Sequence, residues 1–246
     1  MFDRSSGNLR RTITAAAVFT AQQATGATAF AYYGPQYFKL LVGNKGTSDL
    51  LLTAIFGAIK VAACSLFVLF VADTIPRRAI LTIGAACMAA CQISTAAVLK
   101  TNPAPLNAEV TDSGMATVAL IYLFVIAYNF SWGPLPWPYV AEIFPTRTRE
   151  PGIATGVSSQ WLFNFVFSLT TPYMIKHMGW ATFLLWGLFD IAIAGFSWFA
   201  LRETKGKSLE EITKLDHRAA SAKPFADEGD LSDESHGARS GGMPGR

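Results

Sequence analysis

Six long apolar segments, nearly free of charge, constrain this chain more than any other feature. A helix needs about 20 apolar residues to cross a bilayer core about 30 Å thick. Each segment is long enough, and only Lys60 and Asp190 bring a charge near the centre of one. We therefore predict an all-α membrane protein with six transmembrane helices. The segments are Thr12–Leu41, Ser48–Ala72, Ala79–Leu99, Met115–Ala141, Gly152–Ile175 and Trp180–Leu201.

The charges outside these segments predict the orientation of the chain. Six spans place both termini on one side, and the loops on that side carry most of the arginines, while the other side has only four lysines. The positive-inside rule makes both termini cytoplasmic. We expect residues 1–11 to be a cytoplasmic segment, residues 12–215 to form the six-helix unit and Thr101–Gly114 to be a polar outer loop. Residues 216–246 are polar and lack periodicity, which predicts a disordered cytoplasmic tail.

Composition and spacing argue against several other classes of protein. A net charge of +3 is too small and dispersed to indicate a nucleic-acid surface. Cys64, Cys87 and Cys91 lack the CxxC spacing of a zinc site, and the three histidines are scattered, so we predict no metal and no cofactor. An intramembrane enzyme needs a nucleophile–base pair, and Asp190 has no intramembrane histidine near it in sequence. We predict that the chain is not an enzyme.

Polar stripes run along the first and fifth segments. Polar and small residues between Gln22 and Tyr33 fall on one side of a helix, and Gln160 and Asn164 are four residues apart on another. Polar side chains within hydrocarbon usually face a bundle interior or a water-filled path, although amides also join helices in any bundle. We expect one shared polar cavity lined by Gln22, Gln23, Tyr33, Trp137, Gln160 and Asn164.

Two clusters of glycine and proline interrupt the apolar segments. Gly34-Pro35 should break or bend the first helix, and three prolines within Ser131–Tyr139 should break the fourth. Irregular backbone at such depth is tolerated only against protein or water. Spacing alone leaves two roles open for Trp132 and Trp137, which are anchoring at the membrane surface and stacking on a bound solute.

Lys60 lies in the middle of the second segment, on the same helical face as Thr53, Gly57 and Cys64. A central lysine costs about 3 kcal/mol on insertion, which the apolar residues of this segment can offset. The ammonium group still needs a partner, and the alternatives are a bound solute and an ion pair with Asp190. We favour a functional cation, because a lysine at mid-span is badly placed to reach the interface.

Opposite charges recur at three segment ends on the side of the termini. Individually such pairs are most often solvated and worth under about 1 kcal/mol. Three clusters on one side instead predict a charge latch whose making and breaking biases one conformation. This charge latch comprises Asp73, Arg77, Arg78, Glu142, Arg149 and Glu203.

Five motifs in order resemble the carboxyl-terminal half, spans seven to twelve, of the sugar porter family of the major facilitator superfamily. They cover most of the chain, and the texts GAIKVAAC and GPLPWPYVAEIFPTRTRE are most similar to fungal-type quinate permeases. The motifs are Gln22–Gly26 with Tyr32-Tyr33, Asp73–Arg78, Gly133–Trp137, Glu142–Arg149 and Glu203–Gly206.

The resemblance implies a multi-pass carrier of the plasma membrane. In such a carrier the solute sits near the midplane between two six-helix halves, and rocking exposes it to each side in turn. Thr28 and Lys60 stand where the family usually has solute-contacting asparagines. These departures favour quinate or a related hydroxy acid or polyol over a neutral hexose. The resemblance places Gln22, Gln23, Tyr33, Trp137 and Gln160 at the solute site.

The resemblance also sets expectations about partners. Pro76 and Glu150 replace glycines that are usual in the family beside the charge latch, so the latch is expected to differ in detail. The family's first six spans and its usual proton-coupling acid have no counterpart in this sequence. The implied partners are a solute, a proton as coupling ion, the lipid bilayer, and a complementary amino-terminal half or a second copy. We expect no transport by this chain alone, and a truncation, a fragment, a half-carrier and a solute sensor remain open.

Overall fold

The computed structural model describes residues 8–42, 48–72, 74–102 and 112–205. Every regular element in these ranges is a helix, which confirms the predicted all-α class. Eight α-helices follow one another along the described chain. They are α1 (Asn8–Ala24), α2 (Ala27–Val42), α3 (Ser48–Leu66), α4 (Arg77–Thr101), α5 (Asp112–Asn129), α6 (Pro136–Ile143), α7 (Arg149–Met178) and α8 (Trp180–Ala200).

The six apolar segments correspond to α1 with α2, α3, α4, α5 with α6, α7 and α8. A π-helical turn over Phe67–Val71 extends α3, and a 3-10 turn over Thr146–Thr148 leads into α7. The two remaining segments are the first, which is broken into α1 and α2, and α7, which is more polar. Four described helices are long and apolar enough to cross a membrane, namely Leu51–Val71, Arg77–Thr101, Asp112–Asn129 and Trp180–Ala200.

The helix boundaries differ from the boundaries of the apolar segments. Helix α1 begins at Asn8, before the predicted start at Thr12, and the hydroxyl of Thr12 donates to the carbonyl of Asn8 at 2.9 Å. The reason is that hydropathy marks the edge of the apolar stretch, whereas backbone hydrogen bonds continue into polar residues. The predicted tail at 216–246 and most of the predicted outer loop, 103–111, lie outside the described residues.

The first segment breaks at Gly26 and not at Gly34-Pro35, where the sequence predicts a break or a bend. Gly26 has a φ of 79°, in the left-handed region that favours glycine, whereas α2 continues through Pro35. Packing against α8 is the cause, because a Cβ on Gly26 would lie 2.8 Å from Cδ2 of Trp186. The hydroxyl of Thr25 donates to the carbonyl of Gln22 at 2.8 Å and so satisfies a group near the end of α1.

The fourth segment breaks between α5 and α6, as predicted. The broken stretch docks on α4, where the indole N–H of Trp132 donates to the carbonyl of Leu81 at 2.9 Å. Ser131 lies so close to Gly84 that no Cβ would fit there. Trp132 is fully buried, so both roles predicted for this residue, surface anchor and solute contact, are wrong. Its function is to hold the break against α4.

Helices α4 and α8 pack against each other in antiparallel orientation along their length. At one end the guanidinium carbon of Arg78 lies 4.5 Å from the centre of a ring of Trp198. At the other end the ammonium group of Lys100 lies 4.9 Å from the centre of a ring of Trp180. These two cation–π contacts fix the register of the pair.

A single residue, Gly179, separates the end of α7 from the start of α8. Its φ of 51° lies in the left-handed region, and its N–H donates to the carbonyl of Ile175 at 3.1 Å, which caps α7. The chain therefore reverses direction here without a connecting loop, and α8 returns to the side on which α7 began.

The outward surface of the bundle is apolar. Phe199 is 87% exposed and Leu69 is 73% exposed, and Val61 and Phe70 are each about two-thirds exposed. Exposed apolar area on this scale is unfavourable in water and favourable against lipid tails. The surface therefore suits a membrane-embedded bundle.

The close packing at Gly26 predicts a large effect of adding one methyl group. We expect Gly26→Ala to lower the free energy of unfolding by about 1–3 kcal/mol, because the new Cβ strains the backbone and meets Trp186. Gly57 of α3 has nothing within 4 Å of an added Cβ, so Gly57→Ala is the matched control. It should be neutral or stabilise by up to about 1 kcal/mol. Thermal unfolding of the purified variants in detergent measures both, and equal unfolding temperatures would contradict the prediction.

Candidate functional site

Gln22 lies at the centre of a buried polar group beside the break between α1 and α2. It is 3% exposed, and its amide nitrogen donates to the carbonyl of Trp132 at 2.8 Å and to that of Gly133 at 3.0 Å. Its amide oxygen accepts from the amide nitrogen of Gln160 at 2.8 Å. One side chain therefore joins α1, the α5–α6 break and α7.

Gln23 makes a second set of contacts, which join α1 to α2 and to α7. Its amide oxygen accepts from the hydroxyl of Thr28 at 2.5 Å and from the amide nitrogen of Asn164 at 3.4 Å. Farther along α2, the hydroxyl of Tyr33 donates to the carbonyl of Ser168 at 2.8 Å. Helices α1 and α2 are thus joined to α7 by side chains that can also bond a solute. We name Gln22, Gln23, Thr28, Tyr33, Gln160 and Asn164 the amide cluster.

Trp137 lies on α6, close to the amide cluster. Its ring centre is 5.1 Å from that of Phe19 in an edge-to-face arrangement, and 46% of the residue is exposed. Phe19 in turn lies over Gly156 of α7, where a Cβ would be only 2.7 Å from the ring. An aromatic face half open to the surroundings and backed by packed rings is suited to contact a solute.

Lys60 is not joined to the amide cluster by any contact in the described residues. It is exposed on α3, next to a buried seam that includes Ala63 and Phe67. Among the described residues neither carboxylate oxygen of Asp190 has a hydrogen-bond partner, so the ion pair between Lys60 and Asp190, which the sequence left open, is not formed. The ammonium group of Lys60 is accessible to a ligand.

Arg77 is the central residue of the charge latch. One guanidinium nitrogen lies 3.1 Å from a carboxylate oxygen of Glu142, and the other donates to the carbonyl of Ala72 at 2.5 Å. The second carboxylate oxygen of Glu142 accepts from the hydroxyl of Thr204 at 2.6 Å. The start of α4, the end of α6 and the segment after α8 therefore meet at one point.

Glu203 binds the beginning of α4 from the segment after α8. Its carboxylate accepts from the backbone N–H of Arg77 at 2.9 Å and from that of Arg78 at 3.1 Å. A carboxylate at this position satisfies free N–H groups and complements the helix dipole. The guanidinium of Arg78 donates to the carbonyl of Trp198, which adds a contact between the start of α4 and the last turn of α8.

Two predicted members of the charge latch have no described contact with this network. Asp73 lies outside the described residues, so its predicted contacts stay a prediction. The Nε of Arg149 is buried and has no hydrogen-bond partner among the described residues, and no described contact joins Arg149 to Glu142. Thr204 was not predicted, although it is adjacent to Glu203 within the same motif, and neither was Trp198, for which the sequence contains no signal.

The chemistry of these groups is suited to recognition of a hydroxyl-rich solute. Amides and hydroxyls supply both donors and acceptors, which matches a ring of hydroxyl groups. Among the described residues, no group of three or more His, Cys, Asp or Glu is placed to hold a metal ion. A bundle of broken, partly polar helices with an apolar exposed surface suits a multi-pass membrane protein, and its amide cluster suits contact with a polar solute.

Comparison with known proteins identifies the family. The family described as "Sugar (and other) transporter" matches residues 1–215, and the chain belongs to it. A probable quinate permease of Aspergillus clavatus is 33% identical over 201 residues, which cover 80% of this chain and 37% of the permease. High-affinity glucose transporter 1 of Candida albicans is 32% identical over 220 residues, which cover 84% of this chain and 40% of that transporter. The chain spans about two-fifths of the length of these relatives.

Solved structures agree with this family. One is the proton:xylose symporter XylE of the major facilitator superfamily, bound to 6-bromo-6-deoxy-D-glucose, which matches with a TM-score of 0.72 and 30% sequence identity. The match covers 83% of this chain and 42% of the XylE chain. The inward open conformation of XylE from E. coli has a TM-score of 0.71 and 29% identity over 87% of this chain and 42% of its own. The chain therefore has the major facilitator fold over the part of these structures that it matches.

The bonds of Gln22 predict an asymmetry within the amide cluster. Gln22→Leu leaves the carbonyls of Trp132 and Gly133 and the amide of Gln160 without these hydrogen bonds. Each buried polar group left unsatisfied costs about 1–3 kcal/mol of stability. We expect it to lower the unfolding free energy by at least about 2 kcal/mol. Gln160→Leu removes only one of these bonds and should cost less. Chemical unfolding of both purified variants tests the order, and an equal loss would be inconsistent with a central role for Gln22.

The charge latch predicts coupling between Arg77 and Glu142. A double-mutant cycle of Arg77→Gln and Glu142→Gln should give a coupling energy of about 0.5–3 kcal/mol in unfolding free energy, because the two side chains are in contact and partly buried. Arg147 is exposed, so the cycle of Arg147→Gln with Glu142→Gln is the control and should show additive effects. Additivity in the first cycle would mean that the contact contributes nothing to stability.

Proposed function

We propose that this chain forms the carboxyl-terminal six-helix half of a secondary active carrier for a sugar-like solute. In this proposal residues 12–215 are the half-bundle and residues 216–246 a disordered cytoplasmic tail. The observation that carries it is the amide cluster at the α1–α2 break, where Gln22 and Gln23 bond to α7 through groups that a solute can replace. The names of the relatives support a solute carrier and not an enzyme.

Quinate or a related hydroxy acid is the solute we favour. The amide cluster suits the hydroxyl groups of any polyol, and Lys60 adds a cation that a carboxylate neutralises. In the low-dielectric surroundings of a membrane protein that attraction is stronger than in water, because screening is weak. The similarity to quinate permeases supports this solute, and the similarity to a glucose transporter supports the alternative, a neutral hexose.

Movement of the solute is proposed to follow alternating access, with the charge latch holding one conformation. Glu142 of α6 is bonded to Arg77 and Thr204, so release of these contacts frees the end of α6. We place the charge latch and both termini on the cytoplasmic side of the plasma membrane, following the arginine distribution. XylE is a proton symporter, which supports a proton as coupling ion here.

The other wall of the solute cavity is proposed to come from a complementary amino-terminal half or a second copy of this chain. The helices that carry the amide cluster also expose apolar and aromatic side chains, among them Trp161 at 64% and Phe165 at 64% on α7. A half-bundle alone gives the solute one wall and no closed path. A second candidate function, solute binding without transport, follows from the same geometry.

Uptake by reconstituted protein separates these functions. We expect no quinate uptake into vesicles that contain this chain alone, and uptake when the chain is reconstituted with the amino-terminal half of a quinate permease. Quinate binding to the purified chain without uptake in either preparation would favour the sensor. Absence of both binding and uptake would contradict the proposed function.

Substitution of Lys60 tests the solute class. In the two-half preparation, Lys60→Asn should lower the affinity for quinate about tenfold, equivalent to about 1.4 kcal/mol, and leave glucose binding unchanged. Lys100→Asn is the control, since that lysine packs on Trp180 at the far end of α4. Equal quinate affinity of the wild type and Lys60→Asn would show that Lys60 does not contact the solute.

A further inference from the structure

Helix α8 carries a row of buried polar side chains that lack hydrogen-bond partners among the described residues. The hydroxyl of Thr182, the indole N–H of Trp186 and both carboxylate oxygens of Asp190 belong to this row. These residues recur at four-residue spacing and so lie on one face of the helix. Each of them is at most 1% exposed. Such a row is unusual, since buried polar groups are nearly always hydrogen-bonded.

Asp190 lies where α8 packs against α4. Gly187 precedes it by one turn, and a Cβ on Gly187 would lie 3.3 Å from the Cβ of Gln92. Gln92 is 1% exposed, and its amide nitrogen also has no hydrogen-bond partner. The interface of α4 with α8 therefore contains an acid and an amide that are both buried and unsatisfied.

Few titratable groups surround Asp190. On α4 they are Cys91, which interacts electrostatically with Asp190, and Cys87, which interacts with Cys91. The charged groups near the ends of α4 make cation–π contacts, Arg78 with Trp198 and Lys100 with Trp180. The other described helices that contact α8 are α1, α7 and, through Phe30 on Phe183, α2. Their titratable side chains within the described residues are Arg10, Arg11, Tyr32, Tyr33, Arg149, Glu150, Tyr173, Lys176 and His177.

A bare carboxylate in this position is costly. Burial of an ionised group without a hydrogen bond or a counter-charge is among the least favourable events in a protein interior. Uptake of a proton removes that cost, because the neutral acid is a small polar group that the interior tolerates. Ionisable residues inside membrane helices accordingly mark proton or ion sites.

The position of Asp190 also connects it to the amide cluster. Trp186 lies one turn from Asp190 on the same face of α8 and packs against Gly26, where an added Cβ would lie 2.8 Å from the indole ring. The centre of this ring lies 5.2 Å from that of Phe167 in α7. Gly26 separates α1, which carries Gln22 and Gln23, from α2. A shift of α8 at Asp190 therefore reaches the break where the solute is proposed to bind.

We infer that Asp190 is a proton-binding site of α8, coupled through Trp186 to the amide cluster. The reaction is the reversible addition of one proton from water to the carboxylate, and no other bond changes. Proton binding stands on the burial of Asp190 alone. The coupling rests on the proposed function.

Infrared spectroscopy of the purified chain in nanodiscs tests proton binding. The spectrum of the wild type should contain a carbonyl band of a protonated carboxyl that disappears on titration to alkaline pH and is missing in Asp190→Asn. Asp190→Glu should retain a titrating band, which guards against misfolding of the amide variant. Asp112→Asn changes an exposed acid at the start of α5 and should leave the band unaltered. A wild-type spectrum in which no titrating band depends on residue 190 would overturn the inference.

Calorimetric titration with quinate tests the coupling. Wild-type affinity should fall about fivefold or more across the alkaline pH range in which the infrared band titrates, a typical allosteric coupling, whereas the affinity of Asp190→Asn should not vary over that range. The same pH dependence in both proteins would overturn the coupling. If neither protein binds quinate, the proposed solute is wrong, and the infrared result still decides the proton site.

Discussion

A helix that breaks within hydrocarbon leaves backbone groups that lipid cannot satisfy, and the structure depends on how these groups are paired. The carbonyls of Trp132 and Gly133, at the break between α5 and α6, accept from the amide of Gln22. Gln22 itself lies beside the break between α1 and α2. The two irregular stretches therefore stabilise each other, and the polar groups that this requires are also suited to hold a solute.

Helix α6 transmits this arrangement to the charge latch. It is only eight residues long, about 12 Å at the usual rise per residue. It begins just after the carbonyls held by Gln22 and carries Glu142 in its last turn, where this side chain is bonded to Arg77 and Thr204. Tyr139, between these two points, accepts from the backbone N–H of Arg202 at 3.2 Å. A rigid segment held at both ends cannot move at one end without straining the contacts at the other.

Periodicity and proline chemistry made part of this predictable from the sequence. The spacing of Gln160 and Asn164 indicates a shared face whatever surrounds it, and three prolines remove backbone donors wherever they occur. The position of the first break was not predictable, because it is set by Trp186, far along the chain, pressing on Gly26. The bond from Trp132 to Leu81 was missed for the same reason. The local sequence pattern indicates where a helix can break, and tertiary contacts determine where it does break.

The single-residue connection at Gly179 has a consequence for how the protein enters the bilayer. Helix α7 is long and comparatively polar, whereas α8 is the most apolar of the eight helices. With a single residue between them, the two helices reach the insertion machinery in immediate succession. We expect the favourable transfer free energy of α8 to offset the cost of the polar residues of α7, which partition weakly on their own. Membrane insertion of α7 is then tied to that of its neighbour, and an insertion of flexible residues after Met178 would separate the two events.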